Sequence, residues 1–298
     1  MKIGTNLQFE KQIGYKKSLT LAAQAGFKYL DFDLTGNYDC ATKDEERYFG
    51  EFLNIAEDLG VKIIQSHAPY IKGQPTDSSV FSGKEFTEKV KAAIRRAAIL
   101  KCPYLVMHLY APYMPNFKNI PYEYDKYMEE NIKLNLEFCA SIEKDLEEYG
   151  VNMAIENIAA YDFTKRAHAA SVCATSKECN RYIDQLGEKN FSVCFDAGHL
   201  NLLAGETHAE FVKALKGRIS VLHLHDNFGV LNDWFGELDR HLPPYIGTLE
   251  WNNLADVLKE VGFNGVYSFE VNSYGPTINA LDNYKYIYKA GVQIFYGK

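Results

Sequence analysis

Short apolar runs recur along the chain, each stopped by turn residues before any helical spacing develops. Phe191-Ser-Val-Cys-Phe-Asp196 breaks into Ala197-Gly198-His199, and Ile219-Ser-Val-Leu-His-Leu-His225 ends at Asp226-Asn227. Runs of this kind predict buried parallel strands. Between them lie helical stretches that end in a common junction: Ala25-Gly-Phe-Lys-Tyr-Leu, Leu59-Gly-Val-Lys-Ile-Ile, Leu100-Lys-Cys-Pro-Tyr-Leu, Tyr149-Gly-Val-Asn-Met-Ala and Val261-Gly-Phe-Asn-Gly-Val. Glycine just past a helix end accepts the left-handed conformation without a Cβ penalty, so the junction reads as helix, stop, strand. The pattern predicts strands over Ile3–Leu7, Tyr29–Leu34, Lys62–His67, Tyr104–His108, Met153–Ile158, Ser192–Asp196, Ser220–His225 and Val266–Val271. Eight strands alternating with helices indicate an α/β fold, a single-domain (β/α)8 barrel over residues 1–298; an open doubly wound sheet is the alternative if one strand is misassigned. Longer inserts at Asn37–Glu46, Tyr110–Tyr124, Ala159–Thr175 and Phe228–Ile246 fall on the face of the strand C-termini, where they would act as lids.

Length and composition agree. A chain of 298 residues, 47% hydrophobic and 14% aromatic, fills a barrel of ordinary size. The N-terminal Met1-Lys-Ile-Gly-Thr-Asn-Leu lacks the basic segment, apolar stretch and small-residue site of a secretion signal, and no apolar run has the length of a membrane span. Cys40, Cys102, Cys139, Cys173, Cys179 and Cys194 are scattered and form no C-x-x-C pair, which fits reduced thiols in a cytoplasmic protein and suggests neither a thiolate zinc site nor a redox pair. The net charge of −7 gives no general attraction to polyanions, so nucleic acid is disfavoured as a partner and a small neutral substrate is easier to place.

Chemistry concentrates at the strand ends. Reading the C-terminal end of each later strand gives His67, His108, Glu156, Asp196 with His199, His223 with His225, and Glu270; the long seventh loop adds Asp239 and His241. A barrel brings these ends to one face, so residues far apart in sequence converge. Buried ionisable groups are costly unless paired or bound to a cation. Mixed carboxylates and imidazoles suit Mn²⁺, Zn²⁺, Co²⁺ or Fe²⁺, and the absence of thiolates points to a catalytic rather than a structural site. Each residue also has a plainer reading. His67 or His108 alone is an ordinary hydrogen-bonded histidine, Asp196 could cap the following helix, and Asp239 with His241 could be a surface pair. His168 and His208 keep the plain reading, in loop or on helix surface. Glu156 and Glu270 differ, because a carboxylate closing an apolar strand is rarely buried unpaired. His223 and His225 face the same side of a strand, so one could bind metal while the other holds substrate or supports a ligand.

Taken in order, Ile155-Glu156-Asn157, Phe195-Asp196-Ala-Gly-His199, His223-Leu-His-Asp226, Asp239-Arg-His241 with Gly247 and Trp251, and Phe269-Glu270-Val271 resemble the xylose isomerase-like barrel superfamily over nearly the whole chain. The resemblance implies a divalent-metal-dependent sugar isomerase or epimerase. Its metal would be held by Glu156, Asp196, His223 and Glu270, Mn²⁺ foremost, with Zn²⁺, Co²⁺ or Mg²⁺ as alternatives. Glu156 and Glu270 would remove and return a proton through an enediolate, and His199 would orient the substrate. The superfamily also contains the endonuclease IV type of abasic-site endonuclease, which uses three zinc ions. Residues matching its nine ligands stand at His67, His108, Glu156, Asp196, His199, His223, Asp239, His241 and Glu270. A lyase, hydratase or deglycosidase acting on an oxidised sugar is a third reading, since enolisation beside a carbonyl serves it equally.

Three features favour a sugar: the acidic charge, the stretch Leu242-Pro-Pro-Tyr-Ile-Gly247, which departs from the endonuclease loop, and aromatic inserts (Tyr110, Tyr113, Phe117, Tyr122, Tyr124; Trp234, Phe235) suited to walling a small pocket. A nucleic-acid enzyme would spend such loops on Lys and Arg contacts to phosphate. The lack of a Gly-rich phosphate loop leans towards an unphosphorylated substrate. The oligomeric state stays open, with the aromatic loops as the surface where a second subunit of a homo-oligomer would meet the first.

Overall fold

All eight predicted strands are present and parallel in the computed structural model, which describes every residue except 35–43, 72–78, 112–121, 163–166, 230–238, 274–276 and 298. They are β1 (Ile3–Asn6), β2 (Tyr29–Asp33), β3 (Lys62–His67), β4 (Tyr104–Met107), β5 (Asn152–Glu156), β8 (Phe191–Asp196), β9 (Ile219–His223) and β10 (Tyr267–Phe269), with a separate pair, β6 (Ile158–Asp162) and β7 (Ala167–Cys173), between the fifth and sixth barrel strands. The order is β10-β1-β2-β3-β4-β5-β8-β9. Its two ends meet, because Leu224 N donates to Ser268 O at 2.9 Å and Glu270 N donates to Leu224 O at 3.1 Å. The sheet is therefore a closed (β/α)8 barrel, and the open-sheet alternative falls.

Alternation along each strand separates two cores. Outward residues pack large side chains under the helices: Phe32 stacks on Phe52 of α3 (Glu45–Asp58) with ring centroids 4.1 Å apart, and Phe195 stacks on Phe211 of α9 (His208–Ala214) at 4.9 Å. Each buried aromatic ring of this kind contributes roughly 2–3 kcal/mol of transfer free energy. Inward residues are small in the middle of the barrel, where Val106, Ala154, Cys194 and Val221 form a closed apolar cluster against Tyr104. Two residues further along the same strands the inward positions become His108, Glu156, Asp196 and His223. A period of two thus places an apolar plug directly beneath a polar layer.

The junctions behave as the pattern requires. Gly26 ends α2 (Tyr15–Ala25) at φ 115°, and Lys101 occupies the equivalent place after α5 (Lys84–Ile99) at φ 52° without being glycine. The insert at 159–175 is largely the β6–β7 antiparallel hairpin, not irregular loop. The second insert ends in α6 (Tyr122–Tyr149), and the first runs into α3. Most of the other insert residues lie outside the described residues. No helix among the described residues is long and apolar enough to cross a membrane.

Candidate metal centre

Glu156, Asp196 and His223 are the last residues of β5, β8 and β9, and Glu270 follows β10 directly. One donor atom from each of these four lies within 4.8 Å of the others, so strands remote in sequence deliver a compact carboxylate–imidazole set. His223 Nδ1 faces Glu156 Oε1 at 3.1 Å, Glu270 Oε2 at 3.2 Å and Asp196 Oδ2 at 3.8 Å. Two further sets flank it. His67 and His108 close on Glu156 from β3 and the end of β4, with Nε2 of each ring 3.3 and 2.8 Å from Glu156 Oε2. On the other side His199, His225, Asp239 and His241 bring donor atoms within 4.8 Å of one another.

Asp196 performs both roles that its sequence allows. Its Oδ1 accepts the His199 amide at 2.6 Å and caps α8 (Ala197–Asn201), while Oδ2 faces His225 Nε2 at 3.1 Å. Asn157 joins the two strands that carry the carboxylates, because Asp196 N donates to its Oδ1 at 2.7 Å and its Nδ2 donates to Asp196 O at 2.9 Å. Glycine is required at position 198 by the close approach of the His225 ring: a Cβ there would lie 1.9 Å from His225 Cε1. Asp239 and His241 are part of the centre and not a surface pair, since Asp239 Oδ2 lies 3.2 Å from Nε2 of both His199 and His241. His241 itself sits at φ 48°, a strained backbone for a non-glycine residue.

The donor set fits a cation. His67 Nδ1 contacts Ala68 O at 2.8 Å, His199 Nδ1 contacts Asn157 O at 2.9 Å, and His241 Nδ1 contacts Glu270 O at 3.0 Å. In the neutral ring each Nδ1–H is thus committed to a carbonyl, and Nε2 presents a lone pair to the centre. Those lone pairs meet carboxylate oxygens or, for His67 and His108, each other at 3.2 Å. Asp239 Oδ1 and His225 Nδ1 are buried without a hydrogen-bond partner, and Glu156 Oε2 is buried with Nε2 of His67 and of His108 facing it at 3.3 and 2.8 Å. Acceptors facing acceptors need protons or metal ions between them.

Without metal, protons fill that role. Burial lowers the His67 imidazole, but the hydrogen bond and charge of Glu156 outweigh it and lift the group to about 9. Burial opposes charging of His241 too, and Asp239 and Glu270 raise it to about 10. His199 and His223 are likewise raised well above the usual range against their own desolvation, the former chiefly by Asp196 and Asp239. His108 goes the other way, because burial dominates. Burial would raise Glu156, Asp196, Asp239 and Glu270, yet the surrounding imidazoles hold all four below the ordinary carboxylate range.

The centre opens into a cavity of about 590 Å³ whose wall includes Asn6, Gln8, Gln12, Tyr70, Asn272 and Ser273. Its described wall carries Glu10, Asp31, Asp33, Glu156, Asp239 and Glu270 against Lys11 as its lysine or arginine, a balance that divalent cations would correct. Tyr70 lies with its ring 5.5 Å from His67 and 5.0 Å from His108 and is the aromatic wall among the described residues. Tyr110 was expected to line the pocket but is buried in the core beside Phe81, where Asn135 holds both its amide and its carbonyl. Tyr113, Phe117, Trp234 and Phe235, and the side chains of Tyr122 and Tyr124, lie outside the described residues.

His208 opens α9 but turns its ring inward, with Nε2 2.9 Å from Ala197 O, so it is a packed residue and not a surface one. The His168 side chain lies outside the described residues. Cys102, Cys139, Cys173, Cys179 and Cys194 are free and buried; Cys40 lies outside the described residues. Three of these thiols are nearer to chemistry than their spacing suggests: Cys173 and Cys179 Sγ are 3.7 Å apart, and Cys194 Sγ lies within 4.8 Å of donor atoms of Glu156 and His223. Asp31 and Gln65, which strand-end position does not single out, face the barrel interior one step below the ends of β2 and β3. Their signal was present, as an Asp and a Gln at inward positions in the middle of apolar strands. Asp226, inside the His223-Leu-His-Asp motif, points away from the centre and accepts Asn227 N, Leu249 N and Trp251 Nε1 at 2.9, 3.0 and 3.1 Å.

The sequence pattern of the xylose isomerase-like TIM barrel family matches residues 19–295. The chain belongs to that family. An uncharacterised protein, MJ1311, of Methanocaldococcus jannaschii is 27% identical over 219 residues, 73% of this chain and 67% of its own. An inosose isomerase of Bacillus velezensis is 26% identical over 144 residues, 48% of each chain. The crystal structure of a D-tagatose 3-epimerase-like protein superposes with a TM-score of 0.73 at 24% identity, covering 99% of this chain and 98% of that one. Sugar 3-epimerases and related barrels are this chain's structural neighbours, which establishes the fold.

Proposed function

We propose that the protein is a divalent-metal-dependent sugar isomerase or epimerase, with Glu156, Asp196, His223 and Glu270 holding the metal. The observation that carries this reading is the placement of Glu156 and Glu270 on strands β5 and β10 of one cavity, with one oxygen of each within 4.8 Å of the other and of His223 and Asp196. When bound, the metal would supply charge stabilisation for an oxygen that becomes negative as a neighbouring C–H proton leaves. Glu156 and Glu270 then act as the paired carboxylates that take a proton from the carbon beside a carbonyl and return it, passing through an enediolate. Glu270, more exposed than Glu156 (side chains 23% against 1%), is the freer of the two to meet substrate. His199 orients the substrate from the rim. Mn²⁺ is the preferred ion, since three carboxylates and one imidazole form a hard, oxygen-rich set.

The polar wall of Asn6, Gln8, Gln12, Asn272 and Ser273, with Tyr70 as a stacking face, supports an unphosphorylated sugar of monosaccharide to small glycoside size. The similarity to an inosose isomerase, and to structures titled as sugar epimerases, supports the same substrate class. The reading is tested by incubating the Mn²⁺-loaded protein in deuterated water with ketohexoses, inososes and 3-keto glycosides. Deuterium should enter beside the carbonyl, and Glu270→Gln should abolish the exchange. No exchange into any substrate by metal-replete wild type would overturn it.

One observation favours a second reading, a three-metal hydrolase of the abasic-site endonuclease kind. The flanking sets His67–His108–Glu156 and His199–His225–Asp239–His241 stand ready for two further ions. About three bound zinc ions per chain together with nicking of abasic duplex DNA would replace the isomerase reading. The acidic wall of the cavity is the physical argument against it.

A further inference from the structure

His223 is held differently from the other imidazoles of the centre. His67, His199 and His241 each direct Nδ1 to a backbone carbonyl, whereas His223 turns Nδ1 towards the carboxylates and directs Nε2 to a side chain, Asp31 Oδ2, at 2.9 Å. Asp31 stands on β2, which is separated from β9 around the barrel by β1 and β10, and is 4% exposed. Gln65, fully buried on β3, fixes the same oxygen: its Nε2 donates to Asp31 Oδ2 at 2.9 Å and to Leu222 O at 3.2 Å. A carboxylate is thus clamped in the barrel interior by an amide that is itself tied to the strand carrying His223.

The consequence follows from the two ways of placing one proton on a neutral imidazole. With the proton on Nε2, it is donated to Asp31, and the Nδ1 lone pair points to where Glu156, Asp196 and Glu270 converge. With the proton on Nδ1, the ring would donate to Glu156 Oε1, 3.1 Å away, and close that position. Asp31 accepts and cannot donate when ionised, so it selects the open form. A charged partner also makes the ring a stronger donor than a carbonyl does. We propose that Asp31, clamped by Gln65, is a positioning residue that keeps His223 with Nδ1 free as a ligand, a role that rests on the metal reading of the centre given above.

The test measures Co²⁺ and Mn²⁺ affinity at one fixed pH for wild type, Asp31→Asn, Asp31→Ala and, as control, Val106→Ala in the apolar layer beneath. Asp31→Ala should weaken binding about 10–100-fold, the usual effect of losing such a partner. Asn can still accept the ring proton but lacks the charge, so Asp31→Asn should lose clearly less, about 3–10-fold on the same scale. Val106→Ala should lower thermal stability with affinity unchanged. In Co²⁺-loaded protein the shifted Nε2–H proton resonance of His223 should be present in wild type and Asp31→Asn and exchange away with solvent in Asp31→Ala. Wild-type affinity in Asp31→Asn, or an equal loss in Val106→Ala, overturns the positioning role; if Asp31→Ala does not fold, these two comparisons still decide it. Failure of wild type itself to bind either ion would instead overturn the metal reading on which the proposal stands.

Discussion

Glu156 is the point where four imidazoles meet: Oε2 lies 2.8 Å from His108 and 3.3 Å from His67, and Oε1 lies 3.1 Å from His223 and 3.3 Å from His199. Glu156→Gln keeps the shape and removes the charge. In metal-free protein burial alone would depress His67, yet the Glu156 hydrogen bond and charge raise it from 6.5 to about 9. That difference corresponds to about 3 kcal/mol at order-of-magnitude precision. Because the folded value is the higher one, this stability is fully present below the unfolded value and is lost as pH rises through the folded value. Chelator-treated wild type should therefore lose about 3 kcal/mol from this group between about pH 6 and about pH 9.5. Glu156→Gln should be less stable at the acid end but should lose much less over this range, since only the Glu270 charge then lifts His67 against its burial. The loss from His241, raised to about 10 mainly by Asp239 against its own desolvation, should remain in both proteins as common background. Urea unfolding at both pH values, followed by tryptophan fluorescence, measures the two slopes. Parallel curves for wild type and variant would refute the assignment of Glu156 as the group that charges His67.

Three further outcomes are expected. Gly198→Ala must displace the His225 ring, so it should cost about 1–3 kcal/mol in thermal unfolding while elemental analysis still finds the central ion. Asp226→Ala should destabilise by about 2–4 kcal/mol, because three N–H donors lose their acceptor, with metal affinity near wild type; a large fall in affinity would instead place Asp226 in the centre. Mn²⁺ at about a hundred times its dissociation constant should raise stability by about 3 kcal/mol, reversibly with chelator. Binding should release protons and strengthen with rising pH, since His67 and His241 carry protons up to about 9 and about 10 without metal; calorimetry in buffers of different ionisation enthalpy reads this directly.

The sequence by itself determined the eight strands and the polar layer at their C-terminal ends, while closure into one barrel was decided by the hydrogen bonds of Leu224 with Ser268 and Glu270. It could do so because a buried parallel strand writes a short apolar run, and because alternation places every second residue inside. Glu156, Asp196, His223 and Glu270 were legible for that reason, each terminating such a run. Tertiary structure decided how these polar side chains divide into sets. His223 and His225, two residues apart, belong to different sets because β9 ends at His223 and His225 lies beyond it among different neighbours. Asp239 and His241 join the centre only through a loop whose path no periodicity encodes. Tyr110 enters the core because Asn135, remote in sequence, satisfies its backbone. Asp31 shows the difference most clearly. A carboxylate in the middle of β2 looks like an interruption of an apolar strand until the barrel closes and places it 2.9 Å from a histidine that follows 192 residues later.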